Sequence, residues 1–310
     1  SNFGDLVSDG RPIISLDCIN LVELVYSITD KALVIPAHAW TPHFSVFGSL
    51  SGFDSIEECF GKYYKNIYSI ETGLSSDPKM NWRLSKLDNI TLISNSDAHS
   101  PQNIAREANV FDIDDNCKDI YTEVLSIIKN KDKKKFLYTI EFFPEEGKYH
   151  YDGHRNCKVC CSPKETKMYK YLCPVCGKKL TIGVLNRVEQ LADRDESVIP
   201  ENTISYKNVI PLIEIIADAL CSGKGTQKTL NEYNYIVTQI APEFDVLLNL
   251  SEEELKTKIN PRIVEGILKV RNGEVDIFPG YDGEYGKVSI RWMNKETSKC
   301  ETEQGQLSLF

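Results

Sequence analysis

The chain has 310 residues, 41% of them hydrophobic, which is enough apolar material to bury two or three cores. Its formal net charge of −9 excludes a protein coated in basic patches, so contact with nucleic acid has to be local and assisted by metal ions. No stretch approaches the roughly twenty apolar residues of a membrane span and no signal-peptide pattern opens the chain, so the sequence predicts a cytoplasmic protein with no membrane partner.

Residues 16–28 carry apolar side chains at helical spacing. Residues 31–36 read as a short buried strand ended by Pro36, and His38 follows at once in PAHAWTPHF. Trp40, Pro42, Phe44 and Phe47 make an aromatic, turn-rich loop of the kind that walls a pocket, with His43 as a loop residue. A helix is expected over 55–64, then a strand over 67–71 that delivers Glu71 into a loop, a helix over 77–87, and a β-branched strand over 90–93. That last strand runs out into LISNSDAHS, which presents Asp97 and His99 two residues apart.

Strand, loop and helix thus follow one another three times, with His38, Glu71 and the Asp97/His99 pair at successive strand ends, where parallel α/β proteins carry their chemistry. Each residue has an ordinary explanation as well: Asp97 can cap a helix beginning near Pro101, and a lone histidine after a strand is commonly structural. Brought together, two imidazoles and two carboxylates form a mixed nitrogen and oxygen site suited to Zn, Mn or Fe and able to polarise a phosphate.

Short helices are expected over 101–108 and 120–128, and a strand over 136–143. The basic run 129–135 reads as a solvated loop or as a DNA contact. Residues 148–155 gather Lys148, Tyr149, His150, His154 and Arg155. This is either a polar linker or a DNA-binding set that holds a phosphate and stacks a displaced base. Cys157-Lys-Val-Cys160 and Cys173-Pro-Val-Cys176-Gly177, with twelve residues between Cys160 and Cys173, predict four thiolates around one structural Zn rather than a disulfide or a redox pair. Cys161 is out of register, and Cys18, Cys59, Cys117, Cys221 and Cys300 read as ordinary thiols. Residues 181–192, 209–220, 230–240 and 261–271 read as helices, with Ser251 capping an acidic helix start and strands at 275–278 and 287–292. These helices either offer backbone amides to a DNA phosphate or are simply a bundle.

The strings PAHAWTP, SIETGLSSDP and LISNSDAHSP resemble the later metal motifs of the PHP superfamily, named for polymerase and histidinol phosphatase members. With TIEFFPEEGKYHYDGHRNC, CPVCGKKLTIGVL and PGYDGEYG the resemblance narrows to the endonuclease Q family and runs nearly end to end. It implies an α/β chain: a PHP-type distorted (β/α)7 barrel, N-terminally incomplete, over residues 1–147, then a four-cysteine zinc-binding module at 148–195, a small mostly helical C-terminal domain at 196–293, and a flexible tail at 294–310. It also implies two or three divalent ions (Zn, Mn or Fe) on His38, Glu71, Asp97 and His99, with Asp97 catalytic. The implied activity is cleavage of DNA 5′ of deaminated bases such as uracil, hypoxanthine or xanthine, or of abasic sites. PHP domains open with a His-x-His strand that this chain does not show, so the expectation is that the amino-terminal part is missing and the ligand set partial. Two other functions fit the same residues: a phosphoesterase acting on a small phosphorylated metabolite, and a module that recognises DNA or a partner without cutting.

The last five residues, Gln306, Leu307, Ser308, Leu309 and Phe310, resemble the bacterial sliding-clamp-binding pentapeptide at every position. That resemblance implies an extended peptide whose Leu and Phe side chains fill a groove on the clamp, tethering the chain to replicated DNA. The plainer alternative is a chain end that folds back on the body.

Overall fold

The structure, a computed structural model, describes residues 4–5 and 13–292. The clamp-like peptide at 306–310 therefore lies outside the described residues. The described residues fall into two compact units, one within 4–207 together with 280–285 and the other within 208–279 together with 286–292.

In the first unit, α1 (Cys18–Ile28) opens at an Asp17 cap whose carboxylate accepts the Asn20 N–H at 2.8 Å. Helix α2 (Ile56–Phe60) starts on Ser55 in the same way and runs into a 3₁₀ turn at Gly61–Asn66, shortening the helix expected over 55–64. Strands β1 (Ser69–Glu71) and β2 (Thr91–Ile93) pair in parallel, Glu71 opposite Ile93. Every residue of both is buried, as a strand covered on both faces must be. The core around them gathers Val22, Trp40, Phe47, Phe60, Ile70 and Leu92.

Three expectations change. Residues 31–36 are not a strand, although the chain runs beside β1: Pro36 O accepts the Glu71 N–H at 3.0 Å and Glu71 O accepts the Ala39 N–H at 3.1 Å. Proline has no N–H to continue a ladder. The helix expected over 77–87 closes after one turn, α3 (Pro78–Asn81). The Asn81 side chain is buried and committed to tertiary bonds, accepting Trp40 Nε1–H at 2.7 Å and donating to Asp77 O at 2.8 Å. Residues 101–108 give only a 3₁₀ turn, Pro101–Asn103, because Ala108–Phe111 is claimed as strand β3, antiparallel to β4 (Phe136–Glu141). The 120–128 helix is present, extended to Asn130, as α4 (Ile120–Asn130).

A compact module follows in the same unit. Strands β5 (Asp152–His154) and β6 (Val159–Cys161) pair antiparallel, α5 (Pro163–Met168) begins in a Ser162/Glu165 capping box, and α6 (Val184–Leu191) completes it. Asp152 is fully buried and ties the parts together, accepting Gly183 N–H at 2.6 Å and the Asn186 side-chain amide. A Cβ at Gly183 would stand 2.4 Å from the Tyr151 carbonyl, so only glycine lets α6 start here. A further strand, β7 (Ser205–Asn208), joins β4.

The second unit is mostly helical: α7 (Leu212–Ala219), α8 (Gln227–Gln239), α9 (Glu252–Lys258) and α10 (Pro261–Arg271), with β8 (Val275–Phe278) and β9 (Lys287–Ile290) antiparallel. Ile215, Ile216, Ile236, Leu255 and Ile263 are wholly buried between the helices. The Arg271 guanidinium donates to the carbonyls of Val246, Leu247 and Leu250 at 2.7–2.9 Å, satisfying acceptors that a π-helical turn at Asp245–Asn249 leaves open. Among the described residues no helix is long and apolar enough to cross a membrane. Cys221, expected to be an ordinary thiol, is disulfide-bonded.

Candidate functional site

Glu71 sits at the carboxyl end of β1, 7% exposed. Its Oε2 accepts the His38 backbone N–H at 2.5 Å and its Oε1 accepts the Asn95 side-chain amide at 2.9 Å. The His38 ring faces Thr41, Nδ1 to Oγ1 at 3.0 Å. His38 holds φ +31°, and Gly73, at φ +69°, packs so closely on it that a Cβ there would stand 2.8 Å from the His38 Cβ. The glycine in SIETG is therefore what lets the loop after β1 close on the loop that carries His38. Beyond β2, Asn109 on β3 fixes the chain, accepting Ser94 N–H at 3.0 Å and donating to Ser94 O at 2.8 Å. Asp97 follows at φ +42°, a left-handed position that aspartate tolerates better than most residues, and His99 Nδ1 donates to the Asp97 carbonyl at 2.7 Å. Asp97 and His99 are both exposed.

The structure thus joins Glu71 to His38 and to the Asn95 end of β2. The metal-ligating atoms of His38, Glu71, Asp97 and His99 do not fall within 4.8 Å of one another in any group of three or more among the described residues. As placed, these side chains do not form a closed ligand set. A cavity of about 560 Å³ opens at the opposite ends of the same strands, beside Tyr68 and Ile90, and none of the four residues lines it. Of the aromatic loop, Phe47 lines that cavity, while Trp40 is 1% exposed and packs on the Phe47 ring in the core, the two ring centres 4.6 Å apart.

Behind the strand ends lies a layer of acids that the sequence did not flag. Burial pushes Glu107 up to about 8, with the Glu71 charge adding to it. Its Oε1 accepts Phe142 N–H at 3.2 Å while its buried Oε2 has no partner. Burial, then the charge of Glu107, holds Glu141 well above the ordinary carboxyl range, against hydrogen bonds from Thr139 at 2.6 Å and Thr72 at 2.9 Å. Asp77, the cap of α3, is raised by burial to about 6. Glu107 and Glu141 occupy segments that run antiparallel to each other. Only the pairing of β3 with β4, which the helical reading of 101–108 concealed, shows that their side chains come together.

The clearest metal-binding geometry is in the module after β4. His154 and Cys157, Cys173 and Cys176 place one ligand atom each within 4.8 Å of all the others. Cys176 Sγ lies 3.5 Å from His154 Nδ1. Three thiols and an imidazole are the donor set of a structural tetrahedral zinc site. Burial raises the Cys173 thiol, but the N–H groups of Cys176 and Val175 and the neighbouring thiols outweigh it, bringing the group down to about 7, which favours thiolate near neutrality. The expected fourth thiol, Cys160, is not in this group. Lys158, at φ +53°, turns the chain out of the 3₁₀ turn that carries Cys157 and into β6, where Cys160 pairs with Gly153. The imidazole from the end of β5 takes that corner instead. His154 stands only three residues before Cys157 in the sequence, within the set expected at DNA, and it belongs to the thiols rather than to that set.

Of the remaining residues expected at DNA, His150 is 3% exposed with Nδ1 on Ser75 O at 3.3 Å, and burial lowers its basicity, so it cannot meet a ligand as placed. Lys148 lies over the Tyr285 ring at 4.4 Å, Arg155 is exposed with its N–H on Asp282 at 2.6 Å, and Tyr149 is half-buried.

The chain is similar to several known proteins. Residues 211–274 match the family described as the MJ0043 C-terminal domain. The chain is 32% identical over 270 residues to the uncharacterized protein MJ0043 of Methanocaldococcus jannaschii, covering 84% of this chain and 33% of that one. It is 32% identical over 257 residues to the uncharacterized protein YqxK of Bacillus subtilis, covering 83% and 60%. The chain therefore spans a third and three fifths of these two relatives. The crystal structure of the lesion-specific endonuclease PfuEndoQ from Pyrococcus furiosus superposes with a TM-score of 0.81 at 28% identity, over 96% of this chain and 71% of that one. An endonuclease Q in complex with a 27-mer duplex carrying an abasic lesion at its active site gives the same TM-score and identity over 99% and 74%. The chain belongs to the endonuclease Q family. Its fold is accordingly of the PHP type.

Proposed function

We propose that this chain acts as a metal-dependent DNA repair endonuclease that cleaves the phosphodiester 5′ of deaminated bases or abasic sites. The observation that carries the reading is the match of 99% of the chain to an endonuclease Q structure holding a duplex with an abasic lesion at the active site. The barrel organisation of residues 1–147 and the separate helical domain at 196–293 belong to the same proposal.

His38, Glu71, Asp97 and His99 are the side chains proposed to receive divalent ions. Such ions would supply Lewis-acid charge at the attacked phosphate. This chain's own contribution is positional. Asn95 and the His38 amide fix the Glu71 carboxylate, Gly73 admits the loop that carries it, and Asn109 fixes the strand end that carries Asp97. The proposed zinc ion in the His154, Cys157, Cys173 and Cys176 cluster is structural, tying β5 to the knuckle 173–177. Lys148, Tyr149 and Arg155 remain proposed DNA contacts.

The test is cleavage of duplex oligonucleotides bearing uracil, hypoxanthine or an abasic site, with Mn, Zn or Mg added and with chelator. Cuts 5′ of the lesion that chelation abolishes support the reading. Hydrolysis confined to small phosphorylated metabolites, or lesion binding with no cleavage under any metal, would transfer the assignment to a phosphoesterase or to a recognition module.

A further inference from the structure

The zinc module carries a surface that neither the strand-end site nor the zinc cluster uses. Between residues 158 and 179 the sequence holds six lysines and a single carboxylate, Glu165, in a chain whose formal charge is −9. All six lysines are exposed. Among them stand exposed apolar side chains: Met168 is 71% exposed and Val175 68%, with Tyr169, Tyr171 and Leu172 each at about 40%. These residues form one tip. Tyr171 N–H donates to Thr166 O and Leu180 N–H to Tyr171 O, both at 3.0 Å, while Leu172 bridges to Lys179, so the end of α5, the turn after it and the knuckle are held side by side. The turn is strained. Lys170 and Tyr171 both occupy the left-handed region, at φ +51° and +63°, where consecutive non-glycine residues are uncommon.

We propose that this lysine-fringed apolar tip is a docking surface for duplex DNA, its lysines on backbone phosphates and Met168 and Tyr171 against the sugars and base edges between them. The proposal rests on the reading of the chain as a DNA repair endonuclease. It names one place where a protein of net negative charge gathers exposed cations of the kind such a substrate demands. Phosphate affinity scales with the number of lysine and arginine contacts, and a local cluster of one sign supplies them where the overall charge does not. Exposed aromatic and apolar side chains among cations are the pairing that nucleic acids reward, because sugar and base faces are apolar while phosphates are charged. A metal ion on the cluster beneath would brace such a tip, because Cys173 and Cys176 flank the knuckle on which Val175 stands and which Lys178 and Lys179 follow. Lys167 shares its charge with Glu189 at 3.4 Å and contributes least.

The experiment uses the full zinc-loaded chain and the triple variant Lys170→Gln, Lys178→Gln, Lys179→Gln. Binding to a fluorescent duplex, with an abasic analogue and without, is followed by anisotropy over about 50 to 200 mM salt. Removing one lysine that neutralises a phosphate makes the slope of log affinity against log salt shallower by about 0.9. The triple variant should therefore show a slope shallower by roughly 2 to 3 and an affinity lower by about tenfold or more at the low-salt end. Met168→Ser should weaken binding with the slope unchanged. Metal analysis and circular dichroism confirm that each variant holds zinc and folds; if the triple variant does not, the single Lys170→Gln and Lys164→Gln proteins should each show a slope shallower by about 0.9.

Parental slope and affinity in folded lysine variants would overturn the docking surface while leaving the nuclease reading intact. A lysine-dependent slope without cleavage of any lesion would keep the surface and remove the nuclease. Binding to a duplex RNA of the same sequence as tightly as to DNA, or no duplex binding by the parent, would overturn the surface as a DNA site.

Discussion

Glu107→Gln tests the buried acid layer directly. Burial raises the Glu107 carboxyl to about 8, so the folded chain holds at neutral pH a proton that an unfolded glutamate releases near 4.5. A raised carboxyl pKa contributes stability that is fully present below the unfolded value and is lost as pH rises through the folded one. The window is therefore about pH 4.5 to 8, and within it the folded state binds one more proton than the unfolded chain. One proton is worth about 1.4 kcal/mol per pH unit, so on the order of 3 kcal/mol is lost between pH 4.5 and 7. Glutamine keeps the shape and can still accept the Phe142 N–H, but places an amide nitrogen where Oε2 has no partner. That costs about 1–3 kcal/mol independently of pH. Urea unfolding followed by circular dichroism at several values between about pH 5 and 7.5 should show the parent losing stability more steeply than the variant, by about 1.4 kcal/mol per unit. The variant should begin less stable at the acid end and draw level toward neutrality. Equal slopes in the two proteins would mean that Glu107 is ionised in the folded state and that the buried acid layer has been misread.

Asp97→Asn should reduce lesion cleavage by roughly 100-fold or more while leaving binding of the lesion duplex largely intact, since the amide keeps the shape and removes the charge that holds a metal; cleavage at the parental rate would remove Asp97 from the site. The parent should carry one zinc by metal analysis, Cys173→Ser should release it and lower solubility, and Cys160→Ser should retain it. Zinc loss on changing Cys160 but not His154 would restore the four-thiolate set that the spacing predicts. Deleting residues 306–310, or replacing Leu309 and Phe310 with Ala, should abolish binding to a bacterial sliding clamp in a calorimetric titration while short-oligonucleotide cleavage stays unchanged. Equal clamp affinity with and without those residues would refute the assignment.

How far the fold could be read from the sequence depended on which force decided each segment. Helices with a strong cap and a periodic apolar face were legible: the 261–271 helix forms over those residues, and the Ser251 start has the capping box that its Glu254 suggested. Segments decided by a distant partner were not. Nothing local in 77–87 says that Asn81 will be drawn into the core by Trp40, and nothing local in 101–108 says that Ala108 will pair with Ile140. Propensity speaks for the neighbouring turn, while a buried hydrogen bond left unmade costs more than a turn of helix gains, so the tertiary partner wins.

The same distinction explains the sites. Glu71 was legible because a buried β-branched strand ending in a carboxylate and a glycine leaves the acid at an edge of the sheet, and the structure puts it there with His38 against it. The Cys/His cluster was legible as two knuckles, but one corner of it was not. Counting Cys-x-x-Cys treats both pairs as the same turn, yet only 173–176 forms a knuckle; Cys157 and Cys160 are separated by the entry into a strand, whose pairing with β5 carries Cys160 to Gly153 and brings His154 to the thiols. Spacing specifies ligands only while the chain between them remains a turn. Once a strand claims that chain, the ladder register chooses the donor, and an imidazole at the paired strand's end completes the tetrahedron as well as a fourth thiolate.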